Sequence, residues 1–242
     1  MRQHEAVDQQ RFVIVNADDF GLAPAVNRGV VEAFERGIVT SASLMVNRPG
    51  AEEAARYSRE QPAFDIGLHV EVSQWQQRPR PWSLPRSKER VQSRVAREVD
   101  GQLDRFRGLV GHDPTHIDSH QHRHRVDLLR PLFETVAQEL DVPLRHFHPS
   151  IRFCGEFYGH DGRGRPEPEA ITPEALIELL ERLPAGITEL CCHPGYPEGV
   201  DMWYRHERGH EVRTLCDPRV RDAIERLGIT LASFSEVVGG RH

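Results

Sequence analysis

Short apolar runs recur along the chain, and most are followed by a stretch whose apolar residues fall at helical spacing. The runs at 11–16, 41–46, 65–70, 115–119, 144–147, 187–192 and 230–233 read as strands. The intervening stretches at 24–36, 50–60, 88–109, 126–139, 172–183 and 217–227 read as helices. Local signals agree with this division. Pro24 stands near a first turn, Thr172-Pro173-Glu174-Ala175 reads as a cap with proline at the first helical position, and Gly37 and Gly228 read as stops. Such alternation predicts an α/β fold with a parallel sheet and helices outside it. Seven strands predict an open or distorted (β/α) barrel of TIM type rather than a perfect eightfold one.

A chain of 242 residues suits one large domain, and a hydrophobic content of 38% supports a real core. The net charge of −6 argues against a nucleic-acid partner held by a global positive field. The arginines between 86 and 107 alternate with Glu89, Glu98, Asp100 and Asp104, as on a solvated helix face. No apolar run approaches the ~18 to 20 residues needed to span a bilayer, so no membrane insertion and a cytoplasmic location are expected. Residues 1–10 are polar and are expected to form a flexible N-terminus. The four cysteines, Cys154, Cys191, Cys192 and Cys216, lack paired-ligand spacing and read as reduced, buried thiols.

The chemistry-bearing residues fall just after the strands. Asp18 and Asp19 follow the first, His69 and Glu71 end the third, Asp118 to His124 end the fourth, and His193 ends the sixth. In α/β sheets this is the edge where sites are built. Two adjacent carboxylates at the end of a buried strand require a cationic partner, because desolvating each alone costs several kcal/mol. A metal ion is one such partner; an Asp pair capping the helix at Pro24 is the alternative. In His116-Ile117-Asp118-Ser119-His120, extended spacing points His116, Asp118 and His120 to one face. His116 and Asp118 are then expected to orient ligands rather than bind. Two loops bear on substrate choice: 74–86, with Trp75, Trp82, Arg80 and Arg86, and 148–171, which is long and rich in Gly and Pro. The run 198–214, with Trp203 and Tyr204, is expected to close over the same cleft.

Asn16-Ala-Asp-Asp-Phe-Gly21, Gly37-Ile-Val-Thr-Ser41, Gly67-Leu-His69, Pro114-Thr-His-Ile-Asp-Ser-His-Gln-His122 and Cys192-His-Pro-Gly195 together resemble the YdjC family of carbohydrate deacetylases, in order and over nearly the whole chain. The resemblance implies a (β/α) barrel of the glycoside hydrolase/deacetylase type and a single metal-dependent deacetylase domain over 1–242. It implies Asp19, His69 and His120 as ligands of a divalent ion, with zinc or magnesium expected and cobalt, nickel or manganese compatible. It further implies Asp18 as general base and His193 as general acid in removing an N-acetyl group from an amino sugar or oligosaccharide. A homodimer is a weaker implication, and His122, His124 and Tyr196 receive no role. The span between His69 and Lys88 is short for a chitooligosaccharide enzyme, and the arginines of 74–86 would suit an anionic sugar. The rival readings are another metal-dependent hydrolase on a βα barrel, such as a phosphoesterase, and a non-catalytic metal-binding protein.

Overall fold

A computed structural model describes residues 10–72, 87–161, 164–201 and 203–238. The loop 74–86, with its tryptophans and Arg80 and Arg86, and the segment 1–9 lie outside the described residues. The described residues contain seven strands: β1 (Arg11–Phe20), β2 (Ser41–Leu44), β3 (Asp65–Val70), β4 (Ile117–Ser119), β5 (Ile151–Cys154), β6 (Gly186–Cys192) and β7 (Ile229–Leu231). Around them lie α1 (Pro24–Glu35), α2 (Ala51–Glu60), α3 (Lys88–Val110), α4 (Arg130–Glu139), α5 (Pro173–Arg182), α6 (Glu207–Leu215), α7 (Pro218–Arg226) and α8 (Phe234–Val238).

All ladders are parallel, in the order β4-β3-β2-β1-β6-β5. β1 is central and shares its second edge: Arg11–Val13 pair with β7, while Asn16, Ala17 and Phe20 pair with β2. From Val13 to Phe20 it is buried throughout, as a strand covered on both faces by helices must be. The main core joins Val13, Val15 and Ala17 to helix residues such as Val26, Val95, Phe106 and Leu176. Because every strand runs the same way, every C-terminal end reaches one edge of the sheet.

Sequence signals account for the helix ends. Thr172 accepts a hydrogen bond from Ala175 N at 3.2 Å, and Asp217 caps α7 in the same way through Arg219 N at 2.9 Å. Gly37 is required by close packing: a Cβ there would lie 2.6 Å from the carbonyl oxygens of both Ala33 and Leu215. The Asp18-Asp19 pair does not cap α1, whose cap residue is Ala23 without a side-chain bond.

Two elements differ from expectation. The run 144–147 is not a strand; only Leu144 forms a parallel bridge, to Ile117, and the fifth strand lies at Ile151–Cys154. Extended pairing fails because His146 adopts φ +67 and Arg145 turns its guanidinium into a buried acidic cluster. Within 198–214, to which the sequence pattern assigned no element, α6 forms with its Arg208 and Glu211 buried. Among the described residues no ladder joins β4 to β5, so the sheet is a curled partial barrel rather than a closed one. No helix of the described residues is long and apolar enough to cross a membrane. All four cysteines are free, with Cys154, Cys191 and Cys192 buried and Cys216 half-buried.

Candidate metal and catalytic site

The register of β1 against β2 shifts between Ala17 and Phe20, and Asp19 takes φ +64. A bulge of this kind re-aims side chains, and aspartate tolerates the left-handed region better than most residues. Both carboxylates therefore turn to the C-terminal edge of the sheet, where β3 brings His69 and the end of β4 brings His120. One carboxylate oxygen of Asp19 lies 3.4 Å from His69 Nε2 and 3.2 Å from His120 Nδ1. One donor atom from each of these residues falls within 4.8 Å of the others. His69 Nδ1 bonds Asp118 Oδ1 at 2.6 Å, which fixes the ring and leaves Nε2 facing the cluster. The set fits a divalent ion: one carboxylate and two imidazoles, one already oriented by an outer carboxylate, leave open positions for water or substrate.

His116 lies one step further out. Its Nε2 lies 3.0 Å from Ser43 Oγ, which itself donates to Asp118 Oδ2 at 2.8 Å, and its ring stacks on Phe234. Gly67 is glycine because the His116 ring occupies the space of a Cβ, 2.4 Å away. His116 thus supports Asp118 through a hydroxyl and touches no ligand directly.

The cationic partners of the aspartate pair include two arginines that the sequence did not reveal. Arg145 donates two bonds of 2.7 Å to the two oxygens of Asp18, and it also reaches Asp118 at 2.7 Å and Glu189 at 2.6 Å. Arg208, from α6, bonds Asp19. Both are fully enclosed. Burial alone would raise the Asp18 carboxyl, but the Arg145 fork overrides it and holds the value at about 2. Asp19 is likewise drawn well below the usual range against the cost of burial, by Arg208 and the two histidines. His69 is pushed well above its usual value: burial opposes the charge, but Asp118 and Asp18 outweigh it. Glu189 ends at about 7 because desolvation exceeds the pull of Arg145. A charged residue inside the apolar run 187–192 was the one visible hint of this network; Arg145 and Arg208 carried none.

His193 follows β6, with Nε2 3.9 Å from Asp18 Oδ2. Burial lowers it to about 4. Its backbone N–H donates to Glu211, which also accepts from Tyr204 Oη at 2.5 Å. Gly29 lets α1 approach the Pro-Gly that follows, since a Cβ on Gly29 would lie 2.4 Å from Gly195 Cα. Asp18, Asp19, His69, His120 and His193 all line one cavity of about 250 Å³, together with Phe153, Tyr158, Trp203 and Tyr204. Trp203 and Tyr204 of the 198–214 segment therefore reach the cleft. Tyr196 instead donates to Glu32 at 2.5 Å and is absent from the cavity wall.

An α/β chain with a curled parallel sheet and an Asp/His/His cluster at its carboxyl edge is the class defined so far. The chain belongs to the YdjC family: the model of YdjC-like proteins matches residues 12–226. A protein named carbohydrate deacetylase from Geobacillus stearothermophilus is 34% identical over 93% of this chain and 98% of its own. A chitooligosaccharide deacetylase from Yersinia enterocolitica is 30% identical, covering 94% and 99%. A crystal structure from Enterococcus faecalis V583, described as a "putative cellobiose-phosphate cleavage protein", superposes with a TM-score of 0.75 at 28% identity, covering 94% and 99%.

Proposed function

We propose that this protein is a metal-dependent carbohydrate deacetylase that hydrolyses the N-acetyl group of an amino sugar. The observation that carries the reading is the convergence of Asp19, His69 and His120 donor atoms at a cavity whose walls also present Asp18 and His193. The deacetylases among its relatives support the choice of reaction.

A divalent ion held by Asp19, His69 and His120 would make water more acidic and stabilise charge on the acyl oxygen. The remaining work belongs to the chain. Asp18, held ionised and immobile by the two-pronged Arg145 contact, is placed to take a proton from the attacking water. The water oxygen bonds the carbonyl carbon, the C–N bond breaks, and the nitrogen must gain a proton to leave as an amine. His193, neutral at rest and 3.9 Å from Asp18, is the group placed to carry that proton. The proton taken from water thus returns on the leaving amine. Tyr158, backed by the stacked ring of Tyr204, and the exposed Trp203 offer aromatic surface for a sugar. The cavity of about 250 Å³ lies just under the roughly 300–1,000 Å³ of small-molecule sites, so its enclosed part suits one acetamido sugar unit.

The test is acetate release from metal-loaded protein across N-acetylated sugars, from single rings to oligomers and nucleotide-linked forms. Wild type is expected to release acetate and Asp18→Asn to lose about 100-fold or more. Absence of acetate with metal bound, together with hydrolysis of phosphate esters, would transfer the site to the phosphoesterase reading.

A further inference from the structure

The turn that carries His120 also carries His122 and His124, and neither takes part in the cluster described above. Ser119 is extended, but Gln121 and His122 then adopt φ +56 and +53, which swings the two later histidines away from His120. They meet His146, itself at φ +67. The three rings form a triangle with centroids 5.1, 5.5 and 5.9 Å apart. One nitrogen of each lies within 4.8 Å of the others. His122 Nδ1, His124 Nε2 and His146 Nε2 are all buried, and among the described residues none has a hydrogen-bond partner.

Three imidazole nitrogens left bare and facing one another are unusual, because buried polar atoms are almost always paired. No N–H to N bond joins them. The setting suits ligation by imidazole nitrogens: Phe153, Phe133 and Phe147 pack against the rings, and no acid competes for the three nitrogens among the described residues. The tautomer is supported as well. His124 Nδ1 lies 2.7 Å from Ser119 Oγ, and a proton on Nδ1 leaves Nε2 free to bind. Tetrahedral ligation at about 2.0–2.1 Å per bond sets nitrogens roughly 3.4 Å apart, so nitrogens already within 4.8 Å of one another need only small ring rotations. The cations Arg145 and Arg125 oppose a positive ion here, while Asp18 and Asp118 favour one.

We propose that His122, His124 and His146 form a second, tris-imidazole site for a borderline transition metal of the zinc, cobalt, nickel or copper type, separate from the Asp19/His69/His120 cluster. Nitrogen donors without a carboxylate select such ions over magnesium. His122 also lines the cleft, which gives the ion a way in. An ion bound there would pin the turn from which His120 projects, linking occupancy of this site to the geometry of the first.

The experiment is metal-to-protein stoichiometry on the full chain, stripped of metal and equilibrated with zinc, cobalt or magnesium, with the visible spectrum of the cobalt form as a second readout. Wild type is expected to bind two equivalents of zinc or cobalt but one of magnesium. His146→Asn, which suits the left-handed backbone, and His124→Phe should each fall to one equivalent, with fold checked by circular dichroism. His120→Gln should retain the second equivalent. A wild type that binds one zinc, a second zinc that survives both His146→Asn and His124→Phe, or a second equivalent that magnesium fills equally well would each overturn the proposal.

Discussion

Two groups of histidines meet at the turn after β4, which contributes to both, and they live in different electrostatic surroundings. His69 and His120 face Asp19 among buried Asp18, Asp118 and Glu189, with Arg145 and Arg208 threaded between them. His122, His124 and His146 face one another beside Phe153, Phe133 and Phe147. On the first side His69 is pushed up, chiefly by Asp118 and Asp18 against the cost of burial; on the second all three rings fall, chiefly through burial. Proximity to acid is not what separates them. His116 also lies near Asp118, yet burial holds it at about 3, because it reaches that carboxylate through the Ser43 hydroxyl whereas His69 bonds it directly at 2.6 Å. Burial, Arg145 and His69 together keep His116 low, and the hydroxyl between it and Asp118 denies it the direct bond that draws His69 up.

The largest way to break the contrast is to remove the cation on which the acidic side depends. Arg145→Met keeps much of the volume but leaves Asp18, Asp118 and Glu189 buried without it. Removing one partner from a buried ionic network costs about 3–5 kcal/mol. For a chain of this size that is a fall in Tm of roughly 6–20 °C by calorimetry. A fall smaller than about 3 °C would mean that the acids are not held ionised by Arg145, and the charged description of this side would fail.

Arg145 also shows how far the sequence could be read. The βα alternation, the strand ends and the residues Asp18, Asp19, His69, His120 and His193 were legible, because apolar periodicity places strands and parallel strands deliver their ends to one edge. The segment 144–147 looked like a strand because Leu144 and Phe147 are apolar. Its Arg145 is instead drawn inward by three acids distant in sequence, a tertiary demand that no local pattern records. Helix α6 was missed for a related reason. Arg208 and Glu211 look like solvent residues, yet both are buried, one against Asp19 and the other against the His193 backbone and Tyr204. The tris-imidazole cluster was half visible, since His122 and His124 stood out while their partner His146 lay in the misread segment.

A middle-sized effect should appear in acid. His116 is neutral when folded, with Asp118 and Asp18 favouring protonation but burial, Arg145 and His69 opposing it. Its folded value of about 3 lies below the unfolded value of 6.5, so the unfolded chain binds more protons below pH 6.5. The contribution is complete above that pH and is lost as pH falls toward 3. Between pH 7 and 5 this one ring should account for about 2 kcal/mol of lost stability. Urea unfolding of wild type and His116→Phe at both pH values isolates it. Equal acid losses in the two proteins would show that burial does not hold His116 neutral, and its contrast with His69 would fail.

The smallest expected effect falls on the neutral side and sharpens the comparison there. Ser119 Oγ accepts from His124 N at 2.9 Å and lies 2.7 Å from His124 Nδ1, holding the ring that presents Nε2 to His122 and His146. Ser119→Ala removes both contacts without disturbing the acidic network. A pair of neutral hydrogen bonds with some relaxation should cost about 1 kcal/mol, against the 3–5 kcal/mol of Arg145→Met. If His124 is oriented for ligation, the second zinc should also weaken about tenfold while the first is unchanged, since an outer partner of a metal-bound histidine is worth that much. A loss of stability with no change in the second zinc would make Ser119 a packing residue only. A loss of affinity at both sites would show that the turn, rather than the His124 ring, is what the serine holds, and the two histidine groups would then be one mechanical unit in spite of their different surroundings.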